Sequence, residues 1–240
     1  TQLTLNPTMG PEEALFWIDQ IQDYNSPRMG LALGVIDIND INGGIRYIDE
    51  IFDEVQVTSD VQYGTNITIL PALQGLPPAA EALMLDIYEP VGDTETERPL
   101  FLFFHSGNFL PPMVNGGTQG TRTDNTVVEI CERYARMGYV TAAVSYRLGW
   151  NPTAGTQEER TLQLIQAAYR GVQDSRTAVR FFRKTAAEDG NPYGIDPDKV
   201  AMAGDGTGGY VTLASSTISD FNDIIICLLY TSPSPRDRYI

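Results

Sequence analysis

The stretch VAMAGDGTGGYVTL, residues 200–213, runs from apolar residues into glycines and out again into a helix-compatible segment. That order predicts a strand, a tight turn and a helix. Two templates fit the turn. Gly204, Gly206 and Gly209 match G-x-G-x-x-G, in which glycines bring a dinucleotide pyrophosphate to a helix N-terminus. Aligned differently, the same turn fits G-x-S-x-G, which lifts a serine nucleophile above a sheet, with Gly206 standing where the serine belongs. The first template implies a cofactor; the second implies a hydrolytic site without its nucleophile.

The segments upstream place this turn in a larger pattern. ALMLDIYEP predicts a strand with Leu83, Leu85 and Ile87 on one face. After the polar turn VGDTETER, the almost wholly apolar PLFLFF predicts a central strand covered on both sides, running into His105-Ser106-Gly107-Asn108-Phe109. VVEICERYARMG predicts a helix stopped by Gly138, and YVTAAVSY another buried strand. From about Glu158 to Lys184, Ile165, Ala168, Val172, Val179 and Phe182 recur at near-helical spacing. Asn191 to Asp198 reads as the turn that leads into VAMAG. Strands alternating with helices in this way predict an α/β fold, a mostly parallel sheet covered by helices on both faces. EVQVTSDVQYGTNITIL, further upstream, alternates and is rich in Val, Ile and Thr. It predicts antiparallel strands around a turn at Tyr63 and Gly64, which would make the sheet mixed. The Asn66-Ile67-Thr68 sequon within it reads as chance.

The 240 residues are 42% hydrophobic, enough to bury the core of one α/β domain. Lys and Arg total 16 against 31 Asp and Glu, and the net charge of -15 repels phosphate backbones and anionic lipid. Nucleic acid is therefore not an expected partner. No apolar stretch is long enough to span a bilayer, and the sequence opens at Thr1 without a basic region followed by an apolar one. A removed leader or a missing start is expected. Cys131 and Cys227 form neither a disulfide framework nor a CxxC site.

Three regions divide the chain: an extension over 1–45, the α/β segment over 46–226, and a tail over 227–240. In the extension, PEEALFWIDQIQDY suits a short helix with Pro11 in its first turn. DINDINGG, from Asp37, lacks ligands where Ile41 and Ile48 stand in the calcium-loop spacing, so a solvated turn is expected and no metal. The tail abandons periodicity for Ser, Pro and Arg. LLYTSPSPRD resembles the translated read-through of a sequencing adapter, so the tail is expected to be foreign and the native chain to be cut short near Ile226.

Four segments, in order, resemble the N-terminal half of a carboxylesterase-type α/β-hydrolase over residues 45–216. LDIYEP resembles the strand opening the catalytic sheet, FFHSGNF the HGGGF oxyanion loop, SYRLG the Y-R-L-G that closes the next strand, and IDPDKVAMAGDGTGG the elbow. The resemblance implies a pocket for a small ester or acyl ligand, no cofactor, and a secreted or periplasmic location. It also implies an oxyanion hole. Glycines let main-chain amides approach a developing oxyanion closely, and the matching donors are Gly107, Asn108 and the amide of Thr207, beside Ser106. His105 matches a family histidine that is not the triad base, and its alternative role is to bond local backbone.

A serine hydrolase needs an imidazole and a carboxylate following the nucleophile in chain order. His105 is the sole histidine and precedes the elbow. The triad is thus short of nucleophile and base, and the expected product is an inactive esterase-like fragment. Other readings are an active full-length esterase or lipase with an unusual nucleophile, and a non-catalytic module binding an acyl ligand or a protein. Thr207 is the substitute nucleophile to consider, although a β-branched residue in the first helical turn is poorly placed and helix capping is expected of it. Ser106 and Ser145 have no visible base, and Asp205 is expected to point outward. The dinucleotide reading needs an acid about twenty residues on, at a strand end. Asp220 and Asp223 instead precede the apolar run. Arg176, Arg180 and Arg183, with Asp174 nearby, are expected to form a solvated, salt-bridged helix face.

Overall fold

The computed structural model describes residues 44–112 and 114–218. The expected helix at 11–24, most of DINDINGG, Asp220, Asp223, Cys227 and the tail lie outside the described residues. The described elements are β1 (Val55–Thr68), a 3-10 turn (Leu70–Gln74), β2 (Ala79–Pro90), β3 (Arg98–Phe104), α1 (Asn125–Arg136), β4 (Val140–Val144), α2 (Gln157–Glu188), β5 (Ile195–Gly204) and α3 (Thr207–Thr217). The strands form one sheet in the order β1-β2-β4-β3-β5. β3 pairs in parallel with β4 and β5, while β2 is antiparallel to β1 and β4, giving the mixed sheet expected from the sequence.

The alternation of each strand sets the two cores. Leu83, Leu85, Ile87, Leu100, Leu102, Phe104, Val140, Ala142 and Val144 face α2 and α3 and meet Ala178, Phe182 and Val211 there. Tyr88, Phe101, Phe103 and Ala143 face α1 through Val127, Cys131 and Ala135. A fully buried Leu, Ile or Phe contributes roughly 1.5–3 kcal/mol, so the two cores fix the register in which β3 and β5 end side by side. α2 starts with a cap: Thr156 Oγ1 accepts from the Glu159 amide at 3.1 Å. α1 stops where Gly138 takes φ 99.

The structure corrects three expectations. VTSDVQYGTNIT is a single strand with its partner in β2, not a hairpin, and it carries two register shifts, one spanning Asp60 at φ 59 and one at Tyr63, inside the expected turn. β5 begins at Ile195, inside the expected turn, with a register shift opposite Arg98 and Leu100. On α2, Arg176 donates to the carbonyls of Ser215 and Ile218, and Arg183 to that of Pro197. These arginines tie elements together through carbonyls; Asp174 is buried and bound to Arg147 instead.

Candidate active site

β3 and β5 run in parallel with Phe104 opposite Gly204, so the turns that follow them meet. At the β5 turn the packing is backbone on backbone. A β-carbon on Gly204 would overlap the carbonyl carbon of Gly208 and stand 2.6 Å from its oxygen. One on Gly208 would overlap the Phe104 oxygen and lie 2.8 Å from that of His105. The tightest contacts with backbone therefore fall at Gly204 and Gly208. Gly209, which the dinucleotide template requires instead, would place its β-carbon at an easier 3.3 Å from Gly204 O. Gly206 has φ 51 and ψ -114, outside both helical wells, a sharp elbow from strand to helix.

The residues around the elbow divide by orientation. Asp205 is exposed, as expected, and its amide continues the ladder to Phe104 O at 3.1 Å. Thr207 is the first helical residue, and its side chain makes no cap bond, which overturns the capping expectation. Its hydroxyl is buried 3.1 Å from the Tyr146 phenol oxygen. Tyr146 has one proton and donates it to the His105 carbonyl at 2.7 Å, so Thr207 is the donor of the pair. Burial raises the phenol of Tyr146, with the Thr207 bond acting the other way.

The loop after β3 carries three successive residues at positive φ: Gly107 at 118, Asn108 at 56 and Phe109 at 55. Two of them are not glycine, and such outliers persist only where surroundings hold them. Here the Gly149 amide and the Trp150 indole donate to the carbonyls of Phe109 and Asn108, each at 2.7 Å. Gly107 lies against Gly120, where a β-carbon would come within 2.7 Å of the Cα. Asn115 pins the outer rim through Gln119 O at 2.5 Å and the Gly117 amide at 2.7 Å. Between them lies an open, polar cavity of about 350 Å³ lined by Ser106 to Asn108 and Asn115 to Gln119. The 110–120 segment carried no sequence signal beyond its glycines.

His105 is buried and stacked on Tyr146 with ring centroids 4.5 Å apart. Its Nδ1 lies 2.6 Å from the Ser106 carbonyl oxygen, which can only accept, so the ring proton is on Nδ1. Burial holds the imidazole below its ordinary value, with the Ser106 bond opposing. Beneath these turns Arg147, from SYRLG, grips Asp174 of α2 at 2.8 Å and donates to Ile67 O at 2.9 Å. The sequence reading placed Asp174 on a solvated face; only the fold reveals this pair.

The BD-FAE family model matches residues 85–225, more than half of the chain. The chain belongs to the BD-FAE family. This is an esterase-like α/β-hydrolase family, in line with the elbow and loop geometry. No curated protein matches the chain. Among solved structures, the propionate-bound thermophilic esterase Est2 from Thermogutta terrifontis is similar over 56% of this chain and 40% of its own, at 25% identity and TM-score 0.39. The metagenomic thermostable carboxylesterase EstE1 is similar over 69% of this chain and 41% of its own, at 22% identity and TM-score 0.40. The chain thus spans less than half the length of either structure. Among the described residues of this BD-FAE chain, no group of His, Cys, Asp or Glu is arranged to hold a metal, and no helix is long and apolar enough to cross a membrane.

Proposed function

We propose that this chain binds a small ester or acyl group at the junction of the β5 elbow and the β3 loop, and does not hydrolyse it. The observation that carries this reading is the backbone of Gly206, which holds the elbow shape beside the loop without offering a side chain. Among the described residues, the amides of Gly107, Asn108 and Thr207 have no protein acceptor. They are the oxyanion donors in this reading. The lining is amide and hydroxyl rather than hydrocarbon, which favours a short acyl group over a long chain. Hydrolysis lacks its parts: residue 206 carries no hydroxyl, and the sole histidine is buried with its Nδ1 proton held by Ser106 O. A substitute role for Thr207 is disfavoured because its proton goes to Tyr146.

The test sets saturation-transfer NMR with ethyl butyrate beside hydrolysis of p-nitrophenyl butyrate. Saturable binding without turnover supports the reading. Turnover, or no binding to the native chain, contradicts it. Running the hydrolysis assay on the complete gene product separates an active enzyme with an unusual nucleophile from a binding module.

A further inference from the structure

Ser106 stands just before the three left-handed residues of the loop, and its side chain is half-buried against the elbow. A β-carbon on Gly206 would overlap Ser106 Oγ, stand 3.2 Å from its Cβ and 3.9 Å from its Cα. Ser106 supplies all three of the nearest atoms. The first side-chain atom of residue 206 and the hydroxyl of Ser106 therefore claim the same volume. Rotation about the Ser106 Cα–Cβ bond moves the hydroxyl away but leaves the Cβ at a crowded distance, so a side chain at 206 also has to displace the loop.

We propose that positions 106 and 206 share one hydroxyl-sized place, which this chain fills from the loop, and that Ser106 is the hydroxyl meeting the ligand there. The second half rests on the ligand reading above; the first does not. Ser106 belongs both to the wall of the 350 Å³ cavity and to the surface facing Gly206, so its hydroxyl is where the cavity and the elbow join. As a neutral donor and acceptor it suits an ester oxygen. Ser106 is a binding and positioning residue in this proposal; no covalent step is assigned to it.

A double-mutant cycle tests the shared place. Gly206→Ser and Gly206→Ala carry the same backbone strain whether residue 106 is Ser or Gly, so the strain cancels and the crowding remains. Urea unfolding should show that either substitution lowers the folding equilibrium about tenfold more with Ser106 than in the Ser106→Gly background, within the range of couplings between touching side chains. Equal losses in both backgrounds, or a double variant as unfolded as Gly206→Ser alone, overturns the proposal.

The same variants report on the ligand through ethyl butyrate. Ser106→Gly should weaken its binding roughly five- to tenfold, the scale of one hydrogen bond. Ser106→Gly with Gly206→Ala, which fills the same volume with a methyl and no hydroxyl, should bind no better than Ser106→Gly alone. Recovery by the methyl to within about threefold of native would mean that the serine only fills space, and overturns the ligand role. If the native chain binds no ethyl butyrate, the reading of the site as an ester pocket fails, while the stability cycle still decides whether the place is shared.

Discussion

The two turns that meet above the sheet are built from opposite materials. The β5 elbow is shaped by what is missing, since Gly204 and Gly208 let α3 sit directly on the ends of β3 and β5. The β3 loop is shaped by what holds it, with Asn108 and Phe109 kept left-handed by bonds from Trp150 and Gly149. The elbow resists any added atom; the loop resists the loss of its ties. On the proposed reading, this difference is how a hydrolase-like site would keep its form without its reaction. Close packing of the turn depends on Gly204 and Gly208, which flank Gly206, and asks of residue 206 only its backbone.

The sharpest way to break the comparison is Gly208→Ala. Its new methyl would overlap the Phe104 carbonyl oxygen, a backbone atom that cannot swing aside. A loss of about 4 kcal/mol or more is expected in urea unfolding, at the extreme for one substitution. A loss under about 1 kcal/mol would show that α3 slides freely over the strand ends. Next comes the ion pair beneath both turns. Arg147→Met should cost about 3–5 kcal/mol by leaving Asp174 buried and unpaired. Adding Asp174→Leu should restore much of it, and failure to do so would mean that the bonds of Arg147 to Ile67 O and Gln173 matter more than the charge.

Effects in the loop should be smaller, because its ties are single hydrogen bonds. Trp150→Phe removes the donor to Asn108 O, with an expected loss of about 1 kcal/mol. His105 gives a pH dependence. Its folded-state value lies below the unfolded one because burial disfavours the charged ring, so the unfolded chain binds more protons near and below the ordinary histidine value of 6.5. Stability from this group is complete above pH 6.5 and declines as pH falls through 6.5 towards the folded-state value. His105→Gln should flatten that part of the pH profile, and the single imidazole resonance of the native chain should titrate below its free value. Asp205→Asn is the smallest change: the side chain is exposed, and a shift within about 0.5 kcal/mol is expected.

The sheet was legible because its signal is local. The apolar runs of β3 and β4 and the 3.6-residue period of α2 follow from which faces are buried, and the glycines at 204–209 mark a tight turn wherever they occur. β1 was misread as a hairpin because the irregularity at Tyr63, beside Gly64, resembles a turn in sequence, whereas the true partner, β2, begins after an intervening 3-10 turn. At the site, the sequence brought His105 to Asn108 and Asp205 to Thr207 forward, and the fold brings the two segments together. What it concealed is pairwise. Thr207 with Tyr146, Arg147 with Asp174 and Ser106 with Gly206 are contacts across 61, 27 and 100 positions, and no periodicity encodes them. Asn115 escaped notice for the same reason, since an asparagine in a Gly-rich loop has no distinctive spacing.

Turnover by the Gly206→Ser variant bears most directly on whether this site has the form of an esterase without its chemistry. A serine at 206 would restore one member of a unit in which loss of nucleophile or base costs on the order of 10⁶ in turnover, and it would have no imidazole to take its proton. With p-nitrophenyl acetate, the native chain and Gly206→Ser should both release p-nitrophenol no faster than a mock-purified control. Saturable release by either, abolished by mutating Ser106 or Thr207, would mean that a nucleophile is at work and that the site is an active one.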